Sequence, residues 1–135
     1  MPAVAPVPGS VTTSSSVATR SASAGEAITE GNVIYLLDGV AYKADALTAA
    51  KATVAGVAIA PAASGKPCYF IGVTDMVLIT GGSFTQNEWY VISGTASVIE
   101  QYSDLSSGEY LTWLGYGDSD NNLVWKNIVT GTTKP

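Results

Sequence analysis

The 135-residue sequence contains no histidine, a single cysteine and few charges: Lys and Arg together number 6, Asp and Glu 11. Without histidine, the commonest general base, the usual activator of a Ser or Cys nucleophile and the commonest metal ligand are all missing. The lone Cys68 excludes a disulfide within the chain, and its setting, Pro67-Cys68-Tyr69-Phe70-Ile71, predicts a small buried thiol. At a net charge of −5, Lys43, Lys51, Lys66, Lys126 and Lys134 are scattered singly, which argues against nucleic acid as a partner. No apolar run approaches the roughly 18 residues of a membrane-spanning helix, so no membrane partner is expected. The N-terminus lacks a basic region and is interrupted by Pro2, Pro6 and Pro8, so it does not read as a signal peptide. Neither a Gly-x-Ser-x-Gly elbow nor a phosphate-cradling glycine fingerprint occurs. The chain is therefore read as non-enzymatic, with no catalytic residue, metal ligand or cofactor expected.

What the sequence does contain changes abruptly near Gly25. Residues 1–24 are almost entirely Pro, Ala, Val, Ser and Thr, with Arg20 their only charge. They are read as an extended N-terminal arm, and residues 25–135 as one β-rich domain long enough to bury a single core. Met1 to Pro8 favours polyproline II or extended backbone, because each proline fixes φ and restricts the residue before it. Ser10 to Ser23 is rich in Ser and Thr and lacks the apolar content to fold alone. Fully extended at roughly 3.3 Å per residue, such an arm reaches on the order of 80 Å, enough to cross a neighbouring subunit.

Beyond Gly25 the pattern predicts an all-β fold, a small barrel or sandwich of short strands between glycine-based turns. Val33 to Leu37 and Val40 to Lys43 flank Asp38-Gly39, a strong hairpin signal. Ala-rich residues 44–53 allow at most a helical turn or two. Further strands are expected at 54–60, 66–73, 76–80, 89–93, 97–102, 110–116 and 123–129, with Gly81-Gly82 among the breaks. Within 110–116, strict alternation places Tyr110, Thr112, Leu114 and Tyr116 on one face and Leu111, Trp113 and Gly115 on the other.

Asp118-Ser119-Asp120-Asn121-Asn122 matches the first three oxygen-ligand positions of a calcium loop. Leu123 then stands where the sharp-turn glycine belongs and Val129 where the bidentate Glu belongs, so a polar hairpin tip is the reading adopted. Glu88, Glu100, Asp104 and Glu109 supply carboxylates, but nothing in the sequence sets two of them across a cleft. Trp89, Trp113 and Trp125, with Tyr90, Tyr110 and Tyr116, enrich the second half in aromatics. Core packing, a subunit interface and a sugar-binding platform all suit them.

Ala24-Gly25-Glu26-Ala27-Ile28-Thr29-Glu30-Gly31-Asn32-Val33-Ile34-Tyr35, then Asp38-Gly39-Val40-Ala41-Tyr42-Lys43-Ala44-Asp45, Val54-Ala55-Gly56-Val57-Ala58 and Ser64-Gly65-Lys66-Pro67 form a progression. It resembles the small capsid decoration (cement) proteins of tailed bacteriophages, over about Ala24 to Gly115. The resemblance implies a β-tulip or β-clip-like barrel and a homotrimer on the outer capsid surface of the virion. It also implies the major capsid protein as partner, with N-terminal segments clasping that protein or one another. The contacts expected on that basis are Pro2, Val4, Pro6, Val7, Pro8, Val11, Val17 and Arg20 of the arm, with Trp89, Trp113 and Trp125. The alternative is a head- or tail-fibre module whose aromatic face binds host-surface glycans.

Overall fold

Two adjacent left-handed residues turn the chain between Leu37 and Val40. Asp38 (φ 52°) and Gly39 (φ 78°) both adopt positive φ, the backbone of a two-residue hairpin whose twist matches its strands. The structure, a computed structural model, describes residues 11–13, 19–72, 77–79 and 84–135. Its strands are β1 (Val11–Thr13), β2 (Thr19–Ala24), β3 (Val33–Leu37), β4 (Val40–Lys43), β5 (Val54–Ala58), β6 (Pro67–Gly72), β7 (Val77–Ile79), β8 (Trp89–Ile92), β9 (Ile99–Gln101), β10 (Tyr110–Gly117) and β11 (Leu123–Thr133). The strands read from the sequence after Gly25 are all present: β3 and β4 with the expected bounds, β5, β8 and β9 shorter, β10 and β11 longer. The Ala-rich stretch supplies one turn, α1 (Ala49–Ala52), capped by Thr48, whose hydroxyl accepts from the Lys51 amide at 3.2 Å. Gly81-Gly82 and the outer ends of the strands expected at 66–73 and 76–80 lie outside the described residues.

Five strands close into a barrel in the order β2-β4-β3-β5-β6, with β2 sealing against β6 from Thr19↔Ile71 to Ser23↔Pro67. This corrects the boundary read from composition: Thr19–Ala24, assigned to the arm, is a barrel strand. Side chains such as Ser21, Ala22 and Ser23 carry little apolar signal. The strand is held by its backbone, antiparallel to β6 and parallel to β4, and composition does not register backbone pairing. Ala24, Ile34, Ala41, Ala58, Cys68 and Phe70 form one buried cluster drawn from all five strands, which places it inside the barrel.

The remaining strands form a six-stranded sheet, β1-β7-β11-β10-β8-β9. A larger core cluster joins it to the barrel, with Val33, Tyr35, Val57 and Ile71 packing alongside Tyr90, Ile92, Leu114 and Trp125. Polar bonds cross the same seam. The Val33 amide donates to Ser97 Oγ at 2.7 Å, Asn127 Nδ2 to the Val54 carbonyl at 3.0 Å, and the Thr112 hydroxyl to the carbonyl of Ala52. The Ala46 amide donates to the Ser93 carbonyl and the Tyr110 amide to that of Ala46, both at 2.8 Å. Barrel and sheet thus share buried contacts on both the apolar and the polar count.

Cys68 is buried as expected, and burial pushes its thiol above the ordinary 9.0 because the thiolate loses hydration. The native protein is expected to leave a colourimetric thiol reagent unreacted at neutral pH, with one equivalent reacting only once denaturant opens the barrel. Prompt reaction without denaturant would contradict the closed barrel.

Candidate functional site

The solvent-facing side of the β8-β10-β11 region carries a row of aromatic rings. Trp89 starts β8 and pairs with Tyr116 on β10, while Trp113 on β10 lies opposite Val91 of β8 and Ile128 of β11. Strict alternation would put Trp113 and Tyr116 on opposite faces. They lie on one face because β10 carries a bulge: Trp113 and Gly115, two residues apart, oppose Val91 and Tyr90, which are consecutive. Gly115 permits it, since a Cβ there would collide with the Val124 carbonyl. The β11 partner shifts too, across Asn127, which takes a positive φ of 49°.

The rings meet edge to face and in stacks. Trp89 and Trp113 have centroids 5.9 Å apart at 81°, and Trp89 and Tyr116 lie 5.3 Å apart. Trp113 stacks on Tyr102 at 4.9 Å and 27°. A lysine stands at each end of the row, Lys134 Nζ 4.4 Å from the Tyr102 ring centre and Lys126 Nζ 5.9 Å from that of Tyr116, both within cation–π range. Lys134 is fixed there by donating to the carbonyls of Tyr102 (2.9 Å) and Leu105 (2.8 Å). Between the rings and β11 opens a groove of about 240 Å³ lined by Trp89, Trp113 and Ile128. Trp89 is 38% exposed and Ile128 49%. Among the described residues the lining is two tryptophans and an isoleucine, a surface suited to apolar or planar groups.

Glu100 on β9 lies beyond the Lys134 end. Burial, then the negative charges of Glu109 and Asp104, push its carboxyl above the ordinary 4.5, against the opposing pull of Lys134. The folded state therefore holds this proton more tightly than the unfolded chain does, and stability falls as pH rises through the raised value. Glu100→Gln is expected to raise the urea midpoint at pH 7, with the gain fading as the pH drops below 4.5. An equal gain at both pH values would show that charge is not the cause.

The expected contact residues separate. Trp89 and Trp113 come together in the groove. Trp125 does not: it is 1% exposed and belongs to the central core, which corrects its assignment as a contact. It faces inward because β11 alternates, with Leu123 and Trp125 buried and Lys126 outside. Arg20 is exposed on β2, its guanidinium lying where a side chain on Gly72 would stand. Val11 is in β1, at an edge of the large sheet. Pro2, Val4, Pro6, Val7, Pro8 and Val17 lie outside the described residues. Sequence reasoning missed Tyr102, Ile128 and Lys134 as members of the site. A glycine between Trp113 and Tyr116 was the available hint of a bulge, whereas Lys134 arrives from the far end of the chain with no local signal.

The Asp118–Asn122 segment is a hairpin tip. Asp118 Oδ1 accepts from the amides of Asp120 and Asn122, both at 2.9 Å, and Asn121 takes φ 62°. The carboxylate serves the turn. Among the described residues no three His, Cys, Asp or Glu side chains converge as metal ligands would. No protein-family model matches the chain, and no curated protein matches it.

Proposed function

We propose that this chain is a non-enzymatic decoration (cement) protein of a tailed-bacteriophage capsid, binding the outer surface of the mature shell as a trimer. The observation that supports this reading most is the barrel. The quoted motifs between Ala24 and Pro67, which carry the resemblance to cement proteins, fall within a closed five-stranded module that buries its own core. Outside that core the module leaves Leu36, Leu37 and Tyr69 exposed, and only 13% of the sequence is charged, a surface suited to a lasting neighbour. The mechanism is mass action: a ligand that binds only the mature shell stabilises it against rupture by packaged DNA. Linking three copies adds avidity where all engage together.

The test is immunogold labelling of parent virions with antibody to this chain. Dense label over the head supports decoration; label confined to the tail tip overturns it. That second result favours a fibre module binding host-surface glycans, the reading supported by the exposed faces of Trp89 and Trp113. It is checked by saccharide binding that disappears in Trp89→Ala.

A further inference from the structure

We propose that β1 and β2 together form an anchor that holds the molecule against tension arriving from the N-terminal side of β1. Three observations carry this. The first is a shared register. β1 lies antiparallel on β7 from Val11↔Ile79 to Thr13↔Val77, and β2 antiparallel on β6 from Thr19↔Ile71 to Ser23↔Pro67. Five residues separate Thr13 from Thr19, and five separate Ile71 from Val77. The two pairings, one in each sheet, therefore keep a single register. A chain drawn out toward its N-terminus has to break both.

The second observation is direction. Val11, Ile79 and Leu123 lie in one row, and Thr12, Leu78 and Val124 in the next. β1 and β11 thus run the same way on either side of β7. A pull on the N-terminal end of β1 and one on the C-terminal end of β11 oppose each other along the strands. Antiparallel backbone bonds lie perpendicular to the strands, so such a pull strains all rungs of a ladder together. A pull across the strands opens them one at a time. The third observation is what stands behind β2. The Ala24 amide donates to the Lys66 carbonyl at 2.8 Å, the Gly65 amide to that of Ala24 at 2.7 Å and the Gly25 amide to that of Ala41 at 2.8 Å. Gly25 passes so close to the Tyr42 ring that a Cβ would collide with it. Ile28, 2% exposed, is locked to Ala62 by reciprocal backbone bonds of 2.9 and 2.8 Å. To slide toward the N-terminus, β2 has to draw this isoleucine out of the barrel cluster. Apolar burial is non-directional, whereas a hydrogen bond weakens steeply once its geometry is lost. A strand of Ser, Thr, Ala and Arg with rungs on both sides therefore resists sliding without large apolar side chains of its own. The inference is independent of the capsid and glycan readings, since it concerns how the chain carries a load and not what it holds.

The experiment is single-molecule force spectroscopy on the full chain at one loading rate, with the first handle at the N-terminus. The second handle is placed either at the C-terminus, which loads the ladders along the strands, or on Asp120→Cys. Asp120 lies in the hairpin tip beside Leu123, at the end of the sheet where Val11 stands, so that handle pulls across the strands. Cys68, buried in the barrel, does not compete for it. Forced unfolding reads the height of the unfolding barrier, and rupture along the strands is expected to need a several-fold higher force than rupture across them. Equal forces, or a lower force along the strands, overturn the anchor. With the first handle moved to Thr19→Cys, which bypasses β1, rupture against the C-terminus should still exceed the across-strand force; collapse to that value overturns the part given to β2. Ser21→Ala/Ser23→Ala is expected to leave the along-strand force unchanged, and a marked fall would overturn the role given to the backbone.

Discussion

Removing residues 1–18 is expected to leave a cooperatively folding protein, whereas removing residues 1–24 abolishes the fold. The six residues of difference are β2. Without them β4 and β6 become open edges, and the barrel interior around Ala41, Cys68 and Phe70 meets water. Each lost backbone hydrogen bond costs about 1 kcal/mol net, and each newly exposed core side chain adds about 1.5–3 kcal/mol. Together these approach the roughly 5–15 kcal/mol that holds a domain of this size folded. The shorter truncation removes β1, whose pairing with β7 spans Val11↔Ile79 to Thr13↔Val77 at a sheet edge, and leaves the barrel closed. Urea titration followed by circular dichroism decides it. A sigmoidal transition for the 25–135 chain at the full-length midpoint would mean that β2 is dispensable. Any test of arm function by truncation therefore has to stop at residue 18.

The second large effect is Trp125→Ala, with an expected loss of about 3–5 kcal/mol. Trp125 is 1% exposed, opposes Gly115 across the β10–β11 pair and packs in the cluster that joins barrel to sheet. Its removal leaves a cavity that two bulged strands cannot close without moving the Trp113–Tyr116 side of the sheet. Trp125→Phe is expected to cost less, partly because the indole Nε1 has no hydrogen-bond partner among the described residues, so that donor is lost without penalty. Trp89→Ala, at 38% exposure, should change stability by about 1 kcal/mol or less. Equal urea midpoints for Trp125→Ala and Trp89→Ala would contradict the division between core and groove.

Most of the fold was legible because glycine and Asp-Gly punctuation is local chemistry. The β3–β4 hairpin follows from Asp38-Gly39, and the polar tip at 118–122 from the acceptor capacity of Asp118. Two things were not legible, for the same reason. β2 is specified by what it pairs with, a strand whose register begins at Pro67, and its own side chains say little. The groove depends on a bulge that reverses the side-chain parity between Trp113 and Tyr116, and parity is set jointly by β8, β10 and β11. Counting alternation along one strand puts Tyr116 on the wrong face. Trp125 was ambiguous because a buried and an exposed indole look alike without their neighbours.

The barrel's seam also fixes an order of events. Thr19 must find Ile71 and Ser23 must find Pro67, so the strand synthesised first waits for the strand synthesised last before the barrel can close. During synthesis β2 emerges early, and its longer, antiparallel pairing waits until residues up to 72 have left the ribosome. A segment of serine, threonine, alanine and arginine is less prone to aggregate while it waits than a valine- or isoleucine-rich strand. Loops closed this late in sequence make for slow folding, in the millisecond-to-second range of barrels dominated by distant pairings. The polar composition that hides β2 in the sequence is thus what lets the chain survive until its seam is sealed.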